Sequence, residues 1–488
     1  MTDLLIHDAI IVTMNQEKQI LKNGSIHVTD GTISAVEPTD QSDRHAAANR
    51  VINGDDKVVI PGLIDTHRHT DFTLVQSLFS ELDGTELLKE AFALYHTAEP
   101  TLGESFFEAA WQLACLRQLT HGVTTVNAMD FTPTLGAEAI GEAGLRGVIG
   151  PELADFLNPA SVEEQLADAR EFIETHHDTY DGRVTASIAP GGEAGCSREL
   201  WEGVAELRDD YPDLRLHTHL YDSAEVDTMA AGSGADDPLD LLDRYGLLDE
   251  RTLLTHLLHA DRDDARRIAE AGAHVLHCPT VYSYFQAGKR TWFPLPALQE
   301  FGANVVIGLD DPFWFDSWDL IQEAKHARLL SNFEYGAQQW SSYDLLKMLT
   351  TDAARALGID DQVGSLEPGK RADLLVIDVD TPRHQPFSNL PSVLTNSVTA
   401  GDIETVVVDG EVLMEERSVD SMDVKVVRAA AIRERDRLQA RTGWKTSLAG
   451  STPPDKSILR RVSARPLLRA IRQYGQGFVN EHVPTHIN

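Results

Sequence analysis

Between residues 61 and 363 the chain alternates short β-branched runs with amphipathic stretches, and no other feature restricts its fold so strongly. Residues 123–126, 183–188, 215–219, 253–256, 274–277 and 304–307 read as strands, while residues 161–175 and 261–271 have helical spacing. Strands joined through helices run parallel, because each crossover brings the chain back to the starting edge. A segment of this length suits an α/β fold of the (β/α)₈ TIM-barrel kind, whose strand C-termini all open onto one face.

The flanks read differently. Residues 4–14, 24–37 and 57–60 form short strands broken by turn signals at Asn23-Gly24, Asp30-Gly31 and Asn53-Gly54; similar strands return at 373–378 and 405–408, with a turn at Asp409-Gly410. Such small strand sets are unstable alone. Segments 1–60 and 364–415 are therefore expected to pair as one small β-sandwich beside a catalytic barrel of residues 61–363. A chain of 488 residues exceeds what one core usually supports, which favours this division. Residues 416–488 read as a helical extension, with charged helices at 424–440 and about 456–474. The tail is basic where the rest is acidic. Packing against an acidic neighbour in a homo-oligomer is one reading, and a solvated helix face is the commoner one.

Asp and Glu number 77 against 42 Lys and Arg, a formal charge of -35. That excess repels phosphate backbones and anionic lipid, so nucleic-acid and membrane partners are not expected and a small molecule is. It also resembles the surface of a halophilic protein, whose self-repulsion salt screens. Cys115, Cys196 and Cys278 are odd in number and far apart, which suits a reducing cytoplasm rather than a disulfide framework. No apolar run reaches the ~18–20 residues of a membrane helix, and the first residues lack the pattern of a leader.

Chemistry concentrates in Pro61-Gly-Leu-Ile-Asp-Thr-His67-Arg-His69. Side chains alternate across a strand, so His67 and His69 share a face while Arg68 points away, and the two imidazoles can bind one ion. Leu216-His217-Thr218-His219 ends a second strand in imidazoles, with Asp222 three residues further on, and residues 305–310 run as an apolar strand into Asp310. In a barrel these strand ends converge. Three imidazoles and a carboxylate suit one divalent metal ion, Zn²⁺ foremost with Fe²⁺ or Mn²⁺ as alternatives, and leave a position for water.

These motifs, with His121-Gly-Val-Thr-Thr125, His256, Gly308-Leu-Asp310 and Gly364-Ser-Leu-Glu-Pro-Gly-Lys-Arg-Ala-Asp373, resemble the amidohydrolase superfamily in its branch of aromatic aminohydrolases and triazine hydrolases. The resemblance runs to about Leu413. It implies a metal site of His67, His69, His219 and Asp310, and a single ion, since no lysine lies near residues 183–188. It implies that a metal-bound hydroxide attacks an sp² carbon, with Asp310 taking the water's proton, His256 polarising the substrate and Asp222 protonating a ring nitrogen. Hydrolytic deamination of a planar nitrogen heterocycle is the expected reaction. Loss of halide or alkylamine, or opening of a cyclic amide, is the alternative within this chemistry; a silent binding relative is the alternative outside it.

The chain departs from that pattern at three places. Asp222 stands where related deaminases carry Glu, whose carboxyl reaches up to ~1.5 Å further. Ala189-Pro190-Gly191-Gly192-Glu193 lacks a histidine common after the fourth strand, and Thr280-Val281-Tyr282-Ser283 replaces a Ser-Asn pair. His121 reads as structural, His217 as a core histidine rather than a partner of the site, and His259, His274 and His277 as packing or capping groups. The aromatics Tyr282, Tyr284, Phe285, Trp292 and Phe293, with Phe313, Trp314, Phe315 and Trp318, either line the barrel mouth or simply pack.

Overall fold

The computed structural model describes residues 2–41, 48–79, 102–221, 237–285, 293–314, 316–336, 339–447 and 450–452, with a few single positions between 80 and 101. Both ends of the chain contribute to one sheet. At the N-terminus these are β1 (Thr2–Val12), β2 (Ile20–Thr29), β3 (Thr32–Pro38), β4 (Ala48–Asn53) and β5 (Lys57–Pro61).

The catalytic segment supplies β6 (Leu63–Arg68), β7 (Val123–Asp130), β8 (Arg146–Leu153), β9 (Val184–Ala186), β10 (Ala189–Pro190), β11 (Leu216–Leu220), β12 (Thr252–His256), β13 (His274–His277) and β14 (Asn304–Ile307). The C-terminal strands are β15 (Leu374–Asp378), β16 (Ile403–Val408), β17 (Glu411–Glu415) and β18 (Ser418–Val419).

β5 is the seam, pairing parallel with β1 on one side and antiparallel with β15 on the other. The resulting nine-stranded sheet runs β18-β17-β16-β15-β5-β1-β2-β3, with β4 on β1. Its apolar face, including Ile6, Ile11, Ile26, Val59, Leu374, Val376 and Val407, forms a core of its own. Asp30-Gly31 and Asp409-Gly410 make the tight turns read from sequence, with both residues of each pair at positive φ as a type I′ hairpin requires. Asn23-Gly24 does not turn. β2 runs straight through it, and Gly24 lies against Ile11 and Leu21, where a side chain would collide.

The barrel strands β6, β7, β8 and β9–β10 form one parallel sheet and β11 to β14 another. Parallel bridges Ile188↔Leu216 and Arg68↔Asp310 join the two sheets at both edges and close the ring into a TIM-barrel-like fold. Gly308 allows the second closure, since a Cβ there would sit 2.6 Å from His67 Cβ. β8 is absent from the sequence reading because Gly147, Gly150 and Pro151 interrupt its apolar run with turn-forming residues. It is nonetheless buried throughout. Its first residue, Arg146, forms a buried two-point ion pair with Asp373 at 3.1 and 3.3 Å, tying barrel to sheet.

The helix Val162–His176 begins at a capping box of Ser161 and Glu164, and Arg262–Ala271 at one of Asp261 and Asp264, ending on left-handed Gly272. The extension begins with the helix Val424–Thr442. The helix expected at about 456–474 lies outside the described residues. No helix among the described residues is long and apolar enough to cross a membrane.

Candidate functional site

Parallel strand order carries His67, His69, His219, His256 and Asp310 to one mouth of the barrel, each at or just beyond a strand C-terminus. Donor atoms of His67, His69 and His219 lie within 4.8 Å of one another, as do those of His67, His256 and Asp310. His69 Nε2 faces His219 Nε2 at 3.2 Å. Asp310 Oδ1 stands 3.8 Å from His67 Nε2 and 3.9 Å from His69 Nε2, and its Oδ2 stands 3.3 Å from His256 Nε2.

The rings are held from behind. His69 Nδ1 donates to the Met129 carbonyl at 2.8 Å, and His219 Nδ1 to the Gly191 carbonyl at 3.3 Å. A neutral imidazole carries one N–H, so both Nε2 atoms present lone pairs. Two lone pairs facing at 3.2 Å repel unless a cation lies between them. Tetrahedral nitrogen ligands at about 2.0–2.1 Å from zinc would sit about 3.3 Å apart, close to the observed separation. His67 Nε2 is buried without a hydrogen-bond partner, a third ring nitrogen left uncommitted beside the facing pair. The donor set fits a divalent metal.

Burial favours the form of each imidazole that binds metal. It holds His67, His69 and His256 well below the ordinary histidine range, with neighbouring imidazoles adding to the effect. It brings His219 down to about 4, keeping the ring neutral. The same burial lifts Asp310 to about 7 and Glu152 to about 8. Backbone strain gathers here too: Tyr221, His256, Leu257 and Asp310 all have positive φ without being glycine. Such conformations cost of order 1–3 kcal/mol each and persist where the surroundings enforce them.

Several residues have different places from those read in the sequence. His217, read as a packing histidine, has its Nε2 2.8 Å from His67 Nδ1, and its own Nδ1 meets Asn127 at 3.2 Å. The signal was available, because His217 and His219 repeat the alternation of His67 and His69. Arg68 points away from the ligands as expected, but it is fully buried and lies 3.6 Å over the Trp318 ring. Asp65 locks the site from beneath by accepting the Leu309 N–H at 3.0 Å. His121 caps the helix Glu104–Thr120 through the Arg117 carbonyl. Phe293 stacks on His277 at 4.2 Å, Trp314 packs on half-buried Tyr284 and on Phe313, and Trp318 covers Arg68, so Phe293, Phe313, Trp314 and Trp318 are packed and buried. Asp222, Trp292, Phe315 and the side chain of Phe285 lie outside the described residues. Glu152, near the end of β8, was not read as a site residue, since its strand was not recognised.

A closed parallel barrel with imidazoles and a carboxylate at its C-terminal mouth has the arrangement of a metal-dependent hydrolase. The model of the amidohydrolase family matches residues 58–413, and the chain belongs to that family.

A 5′-deoxyadenosine deaminase of Methanothermobacter thermautotrophicus is 30% identical over 413 residues, covering 84% of this chain and 94% of the relative. A 5-methylthioadenosine/S-adenosylhomocysteine deaminase of Thermoanaerobacter pseudethanolicus is 26% identical, covering 87% and 96%. Among solved structures, an adenosine deaminase from Xanthomonas campestris with bound zinc superposes with a TM-score of 0.84 at 26% identity, covering 90% of this chain and 99% of that one.

Proposed function

We propose that the protein hydrolytically deaminates a nitrogen heterocycle of the purine-nucleoside kind, using one divalent ion, zinc, held by His67, His69, His219 and Asp310. The observation that carries this reading is the pair of Nε2 atoms, on His69 and His219, fixed face to face at 3.2 Å by backbone carbonyls on their far sides. The names of the most similar relatives supply the substrate class.

When bound, the ion supplies a water whose pKa is lowered to ~7, a nucleophile near neutral pH. Asp310 Oδ2 accepts the proton shed as the ring carbon is attacked, and His256 Nε2, 3.3 Å from that oxygen, stabilises charge developing on the substrate. Asp222 donates a proton to the ring nitrogen beside the attacked carbon, a role resting on sequence alone. Met129 O, Gly191 O and His217 keep the three imidazoles in register throughout.

Zinc-loaded protein should release ammonia from 5′-deoxyadenosine, 5′-methylthioadenosine or adenosine, read by a coupled ammonia assay. A purine, pyrimidine, pterin and triazine panel yielding no ammonia would overturn deamination. Chloride or alkylamine release from the triazines would favour the alternative leaving groups.

The division into a barrel of residues 61–363, a satellite sandwich of 1–60 with 364–415, and an extension of 416–488 belongs to this proposal. The joining of β5 to both β1 and β15 supports it. Cytoplasmic location, homo-oligomerisation and adaptation to high salt belong to it as well, the last supported by the charge of -35. Raising salt from dilute buffer to molar concentration should raise the Tm, because the Debye length falls to about 3 Å at 1 M and repulsion between surface carboxylates is screened. A flat or falling Tm would contradict adaptation to salt.

A further inference from the structure

Along the helix Val424–Thr442, Arg433 and Arg437 both meet the buried Glu434, and elsewhere Arg266, Arg267 and Arg371 are each tied to an aspartate. Arg117, Arg417 and Arg428 form no ion pair among the described residues, and Arg435 reaches only Asp436, at 3.9 Å. These last four line one groove of about 720 Å³, which runs between the helices Glu104–Thr120 and Val424–Thr442 and past the turn joining β17 to β18. No carboxylate among the described residues lines it. In a chain of formal charge -35, guanidiniums gathered without a counter-charge are the reverse of what the composition would place there.

The fold sets their arrangement. Arg428, Ala431, Ile432 and Arg435 stand at i, i+3, i+4 and i+7, on one face of their helix. Arg417 occupies the tight turn Glu416-Arg417, both residues at positive φ, where Asn or Gly would be the unstrained choice. Its guanidinium is held by the Ala400 and Ile403 carbonyls, at 2.6 and 2.9 Å. Arg117 is half-buried and donates to Gln76, and burial together with the charge of Arg68 bears against its own charge. An anion in the groove would offset that repulsion. Leu113, Leu116 and Val419 give the groove an apolar wall.

Each guanidinium offers paired N–H groups that match phosphate oxygens, and several around one groove match a chain of phosphates better than a single one. A space of this volume suits a small molecule rather than a protein segment. We propose that the groove binds an oligophosphate, at a site separate from the metal site, since none of the candidate ligands lines it. The phosphate chain can come from an inorganic oligophosphate or from a nucleoside triphosphate, whose base would lie on the apolar wall.

The test is titration calorimetry of the whole chain with tripolyphosphate and with ATP, in magnesium-free buffer. Wild type should bind with a Kd below about 100 μM, and Arg428→Ala with Arg435→Ala should weaken binding at least about tenfold. Both side chains are exposed, so the double variant should keep its Tm. Arg433→Ala with Arg441→Ala removes the same charge from the same helix outside the groove, and should change the Kd by less than about twofold.

No binding to wild type at millimolar concentration, or equal binding by wild type and the groove variant, would overturn the proposal. Equal weakening by the two double variants would overturn it as well, because attraction to general positive charge would then suffice. ATP binding at least about tenfold tighter than tripolyphosphate would identify a nucleotide as the source, and equal binding the inorganic chain.

Discussion

Replacing His67 and His69 together by alanine should strip the protein of its ion and reduce hydrolysis to the assay background. Metal content should fall from about one equivalent per chain to below about a tenth, since two of four donors in a tetrahedral site are gone. The two rings belong to one strand end, and each is fixed from behind by a different group, Met129 O for His69 and His217 for His67. Their loss removes a ring held in place from behind at each position.

A graded control separates metal loss from collapse. His217→Asn leaves all four proposed ligands in place but removes the ring that meets His67 Nδ1 at 2.8 Å, and changes of this kind typically weaken metal binding by about 10–100-fold. Metal analysis by mass spectrometry, alongside the Tm of each variant, checks the series. Full metal occupancy in the double alanine variant would remove these histidines from the site.

Asp222→Asn should leave metal content unchanged and lower kcat by roughly 10²–10⁴-fold, the usual share of a positioned proton donor. Hydroxide attack at a ring carbon places charge on the adjacent nitrogen, and deamination stalls unless an acid meets it there and then helps the amine leave. Asp222 follows Tyr221, whose φ of 59° already turns the chain out of β11 just past His219.

The conservative variant asks about shape: related deaminases carry a glutamate here, so Asp222→Glu loses activity only if the pocket is built for the shorter side chain. Steady-state kinetics on a substrate confirmed to release ammonia distinguishes these outcomes. Near wild-type turnover by Asp222→Asn, with one ion bound, would assign the proton to another donor, His256 first, and would favour hydrolysis whose leaving group needs no acid.

The alternation of strands and helices and the placement of the candidate ligands His67, His69, His219 and Asp310 at strand ends could be read before any coordinates, because periodicity and strand-end placement are properties of the local chain, whereas the choice of His219 over His217 came from the family resemblance. β8 and with it Glu152 could not, since Gly147, Gly150 and Pro151 carry the local signature of a turn and only burial between β7 and β9 holds them extended. Asn23-Gly24 erred in the opposite direction, for pairing with β1 and β3 outweighs the turn preference of two residues.

The sequence by itself determined the fold class and a set of candidate side chains for the chemistry. Tertiary structure alone decided how they are aimed, because the groups that orient His69 and His219 are the backbone carbonyls of Met129 and Gly191. Every residue has a carbonyl, so no side-chain pattern can announce which one will stand behind a ligand, and only closure of the barrel brings it there.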